Sequence, residues 1–332
     1  VLPSPADDLP MVNFTVAIRA YNAGDRLPVL LDHLKVQTHT ESFVWEVLVV
    51  DNNSCDNTAA LVQAYQASWG AICALRYVFE PQQGAAIARR RAMQEAQGEW
   101  VGFLDDDNLP APNWVAAAYG FGQAHAKAGA FGGQIHGQYE QLPPQNFGRI
   151  ACFLAIVERR QPFCYNSKAN GRKTDRVLPP GAGLVIRKQA WLESIPLTQV
   201  IQGPTGASIA SKGEDIEVLT YLRQAGWEIW NNPEMHIYHA IPAWRLERDY
   251  LLQLVRGVGL AKHSLRMLNY KRWQIPFVTI GYLMNDFYKA VAYFLKYRQH
   301  LKTDVVVACE MELLVSSFLS PLYNLKRKRT LS

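Results

Sequence analysis

No two cysteines in this chain are spaced Cys-x-x-Cys, and the five present, Cys55, Cys73, Cys152, Cys164 and Cys309, are odd in number. The pattern suggests neither a disulfide framework nor a zinc site, and it fits a reducing, cytosolic compartment. Residues 1–10 are acidic and proline-rich and lack the basic start and apolar stretch of a signal peptide. The longest uncharged apolar stretch, Ile275 to Met284, falls short of the roughly 20 residues that a bilayer span needs. Internal repeats and low-complexity segments are missing. So is a glycine-rich, lysine-bearing phosphate loop near the N-terminus, which counts against a nucleotidyltransferase.

What is present is enough apolar material for a sizeable core, 49% of 332 residues. That allows one large α/β domain or a catalytic domain with a helical appendage. Charge is uneven. Residues 241–332 hold 15 Lys or Arg against 6 Asp or Glu, whereas residues 1–240 hold 19 against 23. Within the basic part, Phe277, Ile280, Met284, Phe287, Tyr288, Val291 and Leu295 recur at helical spacing, with Lys289, Lys296 and Arg298 elsewhere on the wheel. Such a helix either packs on the domain or lies on an anionic membrane surface. Packing is the expected main role, with Lys326-Arg327-Lys328-Arg329 offering a polybasic contact for peripheral attachment. No nucleic-acid-binding module accompanies the cluster, so no nucleic acid is expected as a partner.

The first half alternates strands and helices. Strands are expected over Phe14 to Arg19, Trp45 to Val50, Leu75 to Phe79 and Trp100 to Leu104. Helices are expected over Arg26 to Gln37, through Leu61 and Tyr65, and over Ala85 to Ala96. The order implies a mostly parallel sheet with helices on both faces. From Gln141 the pattern loosens, and Tyr165 to Arg176 reads as a mobile loop.

In that frame the most informative feature is Asp105-Asp106-Asp107, which follows the apolar run Trp100 to Leu104. Acids there emerge at the C-terminal edge of the sheet, where open α/β folds place ligands. Three adjacent carboxylates repel unless something positive joins them. A divalent cation carrying a diphosphate would do so, and a solvated acidic turn is the alternative. Asp51 leaves the second strand at the same edge, ahead of Asp56, Asn57 and Thr58, any of which could cap the next helix. Gly84 opens the third helix, and Arg89 lies about a turn further on, near enough to aid an anion.

Taken in order, Thr15-Val16-Ala17-Ile18-Arg19-Ala20-Tyr21-Asn22, Val50 to Ser54 with Thr58, Gly84 to Arg89, Phe103 to Asp107 and Gly213-Glu214-Asp215 resemble the motifs of family 2 glycosyltransferases over about residues 13–240. The resemblance implies a GT-A-like Rossmann-type fold, a nucleotide-sugar donor, a divalent metal (Mn²⁺ or Mg²⁺) and inversion at the anomeric centre. The resemblance covers a transferase domain over 13–240; composition leaves 1–12 as a flexible N-terminus, and charge and helical spacing make 241–332 a helical basic extension. The donor, with a UDP-sugar first in line, would lie against Ala20, Tyr21, Asn22, Asp51, Gly84, Arg89, Asp105 and Asp106. Pro180-Gly181-Ala182-Gly183 resembles the small-residue loop under the donor sugar, and an ordinary turn is the other reading.

Asp107 and His239 would hold the metal, with His236 a nearby rival. Asp215 is the candidate general base. Glu214, also placed at the catalytic centre, has the spacing of a capping box with Ser211. Arg245 would reach the diphosphate or lie on the surface. The acceptor would be a carbohydrate or a lipid-linked saccharide, met in the cytoplasm or at the cytoplasmic face of a membrane. The alternatives are a nucleotidyltransferase acting on a sugar phosphate and a non-catalytic carbohydrate-binding protein on a degenerate transferase fold.

Overall fold

The computed structural model describes residues 11–70, 72–166, 168–169, 172–173, 177–201, 203 and 213–330. The first half follows the expected alternation: β1 (Phe14–Ala20), α1 (Leu27–Lys35), β2 (Trp45–Asp51), α2 (Thr58–Ser68), β3 (Ala74–Phe79), α3 (Ala85–Glu95) and β4 (Trp100–Asp105). Then come β5 (Asn108–Pro110), α4 (Trp114–Ala124), β6 (Ala128–Tyr139), β7 (Phe163–Cys164), the hairpin β8 (Lys168–Ala169) and β9 (Arg172–Lys173), β10 (Val185–Arg187), α5 (Lys188–Ser194), α6 (Glu214–Gln224) and β11 (Glu228–Ile241). The sheet order is β3-β2-β1-β4-β10-β6-β11-β5, with β7 beside β11. β1, β2, β3 and β4 run parallel, as do β6 and β11, while β10 is antiparallel to both neighbours.

Strand residues sort by period two onto two buried faces. Phe14, Val16, Ile18 and Ala20 of β1 join Leu27, Leu30 and Leu31 of α1 and Trp114 and Val115 of α4 on one side. Ala17, Leu48, Val50 and Phe103 meet Ala88, Ala92 and Met93 of α3 and Val218, Leu219 and Leu222 of α6 on the other. Each fully buried Leu, Ile or Phe of this kind contributes about 1.5–3 kcal/mol, which fixes the strand register and therefore the positions of the acids beyond it.

Two segments depart from expectation. β11 is one strand of 14 residues through Pro233, a residue that ordinarily ends a central strand. A register shift between Asn231 and His236 lets the proline, which has no N–H to pair, pass without ending the ladder. β6, unexpected from its four glycines, is the 12-residue partner of β11. A Cβ on Gly129 would lie 2.5 Å from Trp227, on Gly132 2.5 Å from Pro179, and on Gly133 2.2 Å from the Met235 carbonyl.

Beyond β11 come α7 (Arg248–Met267), α8 (Ile275–Tyr297) and α9 (Val305–Thr330). α7 and α9 seat Leu251, Leu254, Val255, Val306 and Cys309 against Phe147, Ile150 and Leu154. α8 does not pack as expected. Asp286 is its one buried residue, and Phe277, Ile280, Met284, Phe287, Tyr288 and Leu295 are more than half exposed. Its attachment runs instead through Arg266 of α7, which grips Asp286 at 2.5 and 3.0 Å, and through α9.

Val305–Leu325 is long and apolar enough to cross a membrane by length and composition. This corrects the expectation from uncharged runs, since Glu310 and Glu312 break the stretch as an uncharged run but not as a helix. Both are engaged by protein groups: Glu310 with Arg149 and Tyr293, Glu312 with Arg256. The side chains of Lys326 to Arg329, and Ser211, lie outside the described residues; α6 begins at Glu214 with Gly213 as its N-cap, so Glu214 is the first helical residue and not the third position of a capping box.

Candidate active site

The parallel strands β1, β2 and β4 end together, and the sheet register places Arg19 opposite Asp105 and Ala20 opposite Asp51. A cavity of 720 Å³ opens over the β1 and β4 ends. Asp105, Asp106 and Asp107 line it, and each meets a different cation supplied by the protein itself. Arg19 reaches Asp105 at 2.5 Å, Arg26 reaches Asp106 at 2.8 Å, and Arg245 donates to Asp107 at 2.8 Å. The positive partner that the triplet demands is therefore present in the chain as three guanidinium groups spread along it.

Their environments differ. Burial raises the Asp106 carboxyl and Arg26 opposes it, but Asp107 and Asp105 add to the rise, leaving it at about 6. Burial would also raise Asp107. There the hydrogen bond and charge of His239, together with Arg245, prevail and hold the carboxyl well below the usual carboxylate range.

His239 comes from β11, and its Nε2 lies 3.3 Å from Asp107 Oδ2. Its Nδ1 faces the Leu154 carbonyl at 2.9 Å. A carbonyl only accepts, so this contact puts a proton on Nδ1; Nε2 carries the second proton while it donates to Asp107 and, once without it, is the atom able to bind a metal. Arg245 Nη1 sits on both Asp107 Oδ2 and His239 Nε2, at 2.8 and 3.2 Å, where a cation is evidently favoured. Among the described residues no group of three or more His, Cys, Asp or Glu is placed to hold a metal. The chain thus offers one carboxylate and one imidazole. That donor set fits a divalent ion that takes its remaining ligands from phosphate oxygens and water, and the nitrogen suits Mn²⁺ better than Mg²⁺. His236, the rival, pairs with His136 at 2.9 Å and does not line the cavity.

The other acids arrive from the start of α6. Glu214 and Asp215 line the same cavity. Asp215 Oδ2 accepts the Gly181 N–H at 2.7 Å, and its Oδ1 accepts the Ile216 N–H at 2.8 Å. Burial and the neighbouring Glu214 raise the Asp215 carboxyl, while Arg89 and the two N–H groups oppose them. The loop under this pair must be free of side chains: a Cβ on Gly181 would lie 2.6 Å from Arg89 Nη2, and Gly183 has φ +66°. Arg19 also lies 3.7 Å from Glu214, tying the strand-end acids to those of α6.

A family model described as glycosyl transferase family 2 matches residues 15–194, more than half of the chain. The chain belongs to glycosyl transferase family 2. It is 34% identical over 94 residues to the putative teichuronic acid biosynthesis glycosyltransferase TuaG of Bacillus subtilis, covering 28% of this chain and 35% of that protein. It is 30% identical over 102 residues, 31% of this chain and 34% of the other, to the UDP-Glc:alpha-D-GlcNAc-diphosphoundecaprenol beta-1,3-glucosyltransferase WfgD of Escherichia coli. The matched region thus spans about a third of the length of these curated relatives. In structure the chain resembles mannosyltransferase PcManGT from Pyrobaculum calidifontis in complex with GDP-Man and Mn²⁺. There the TM-score is 0.59 at 18% identity, covering 97% of this chain and 91% of that one. The mostly parallel sheet with helices on both faces and helices at its C-terminal end is therefore the fold of the GT-A transferases.

Within this family 2 fold the cavity gathers Ala20, Tyr21, Asp105, Asp106, Asp107, Gly181, Ala182, Glu214, Asp215 and His239. Asn22, Asp51, Gly84, Arg89 and Gly183 do not line it. Asp51 is buried, accepting from Tyr77 Oη at 2.7 Å and from the Ser54 N–H at 2.9 Å. Burial and that bond push the Tyr77 phenol up to about 12. Asn22, at φ +47°, accepts the Cys55 N–H at 2.9 Å, and Gly84 donates its N–H to Asn52 at 2.8 Å. Arg89, expected to reach phosphates, is wholly buried over Phe103, 4.0 Å from Glu214, and none of its guanidinium nitrogens has a hydrogen-bond acceptor among the described residues.

Sequence reasoning assigned no role to Arg19, Arg26 or Asn52, all of which line the cavity. The signal available for the arginines was electrostatic: three clustered acids imply cations, and Arg19 and Arg26 lie at and beyond the end of the first strand, beside the fourth.

Proposed function

We propose that this chain is an inverting, metal-dependent glycosyltransferase acting in polysaccharide or glycoconjugate biosynthesis. It would move a sugar from a nucleoside diphosphate, a UDP-sugar first, to a hydroxyl of a carbohydrate or lipid-linked saccharide. The observation that carries this reading is that two acid groups far apart in sequence, Asp105 to Asp107 and Glu214 to Asp215, face one cavity. Membership of family 2 supports it, as does the donor and acceptor chemistry in the name of WfgD. In this reading residues 13–240 form the transferase domain, and residues 241–332 a basic extension making peripheral contact with the cytoplasmic face of a membrane. The exposed apolar side chains of α8 favour that contact.

The nucleotide end of the donor lies against Ala20, Tyr21 and Asp105, and its sugar lies over the Gly181 to Gly183 loop. Asp107 and His239 would hold the divalent ion, Mn²⁺ or Mg²⁺. When bound, the ion neutralises charge on the departing nucleoside diphosphate. Arg245, which lies on both Asp107 and His239, would be free to donate to a phosphate oxygen with the ion in place. Asp215, fixed by the Gly181 and Ile216 N–H groups, takes the proton of the acceptor hydroxyl as that oxygen attacks. One base with no second nucleophilic step gives inversion.

The test is thermal unfolding with UDP- and GDP-sugars, each with Mn²⁺ or Mg²⁺, alongside assays of nucleotide release. A cognate donor at a hundred times its Kd stabilises the fold by about 2.7 kcal/mol. A broad donor panel that gives neither stabilisation nor nucleotide release with either metal refutes the reading.

A further inference from the structure

The cavity extends past the acids. Besides the acids, its wall includes Val258, Lys262 and Leu265 of α7, Leu313 of α9, and Phe153 and Leu154. Val258, Lys262 and Leu265 fall at i, i+4 and i+7, one stripe of the helix. The stripe abuts the catalytic end directly: a Cβ on Gly213, the residue before Glu214, would lie 3.1 Å from Leu265 Cδ1.

This end is apolar apart from one cation. Among the described residues no carboxylate lies within ion-pair distance of Lys262. Asp286, the acid whose field it feels, is held by Arg266 at 2.5 and 3.0 Å. Arg266 and Lys289 are nearby, so the surroundings hold more positive charge than Asp286 cancels. Burial, with those two cations, lowers the Lys262 ammonium below its ordinary value, and Asp286 opposes them. Lys262 is half-buried, so a ligand that brings a counter-charge into this apolar surround gains more than it would at a fully solvated lysine.

We infer that this end is the acceptor's aglycone site and takes an amphiphilic anion, a phosphate at Lys262 whose hydrocarbon chain lies along Val258, Leu265 and Leu313. A saccharide joined through phosphate to a hydrocarbon chain would then present its hydroxyl toward Asp215. Its description as an acceptor site rests on the sugar-transfer reading; the binding chemistry does not.

The probe is octyl phosphate below its micelle-forming concentration, titrated calorimetrically into the whole chain beside octyl glucoside and inorganic phosphate. UDP with Mn²⁺ is measured on the same samples. Octyl phosphate is expected to bind saturably at one site and at least about tenfold tighter than either control, the scale of a charge-assisted contact added to apolar burial. Lys262→Gln lowers that affinity about tenfold, Lys262→Arg restores it, and neither changes UDP binding. If Lys262→Gln does not fold, Val258→Asp serves as the second variant: it sets a negative charge against the phosphate and abolishes octyl phosphate binding alone.

Equal affinity for inorganic phosphate means that only a free anion is recognised and overturns the inference. Equal affinity for octyl glucoside, or Lys262→Gln binding octyl phosphate like wild type, overturns it also. UDP binding without octyl phosphate binding refutes this site and leaves the transferase reading standing. The reverse outcome refutes the donor reading and keeps the site.

Discussion

Asp215→Asn is expected to slow sugar transfer by about 10²-fold or more while nucleotide and metal binding persist. Asparagine has the same shape, and its carbonyl oxygen can still accept the Gly181 N–H, so the loop beneath the site stays in place. What is lost is a group that can take a proton. The pH profile follows from the same environment. Burial and Glu214 raise the carboxyl, so transfer by wild type climbs with pH through a value above the ordinary carboxylate range and levels off beyond it.

Stability runs the other way. A raised carboxyl contributes stability that is complete below its unfolded pKa and is lost as pH rises through the folded one. The checks are transfer rate against pH for both proteins and calorimetric titration of UDP with Mn²⁺. Transfer by the variant at the wild-type rate would reassign the proton to another group, with Glu214 the first candidate.

The second large effect is expected at Asp107. Asp107→Asn removes the charge that Arg245 and His239 share but keeps an oxygen for the Asn108 side chain, which donates to Asp107 at 3.0 Å. The gain in UDP affinity that Mn²⁺ confers should fall by at least about 10–100-fold, the range lost even when groups supporting metal ligands are removed. Titrating UDP with and without Mn²⁺ measures it. A gain equal to that of wild type would take Asp107 out of the metal site.

Much of the sheet could be read because its strands carry β-branched and aromatic residues at period two and its helices apolar residues at period 3.6. β1 to β4 and the helices between them fell within a residue or two of expectation. β6 could not be read this way. Gly129, Gly132 and Gly133 carry no strand signal, and the reason for them lies in Trp227, Pro179 and Met235, about 50 to 100 positions away. The acids were found because three in a row at a strand end need an explanation. Their partners were not, since ion pairs such as Arg26 with Asp106 and Arg245 with Asp107 join positions that no local pattern links. Asp51 and Arg89 show the converse. Each sits in a motif that resembles the family's, yet their side chains are buried and do not line the cavity.

The near-absence of buried side chains on α8 bears on how the molecule opens. Helices draw most of their stability from packing, and segments with little buried surface unfold at a fraction of the global free energy. α7 has Leu251, Leu254, Val255 and Ala261 in the interior, whereas α8 has Asp286 alone. Backbone amides of α8 should therefore exchange with deuterium well before those of α7, in one cooperative unit, with the sheet and its acids intact. Releasing the Arg266 grip with Asp286→Asn should hasten that exchange further. Protection of α8 equal to that of α7 would mean that something beyond this ion pair and α9 holds it. If the exchange is as early as expected, the last third of the chain can detach and reseat one helix without disturbing the strand ends that carry Asp105 to Asp107.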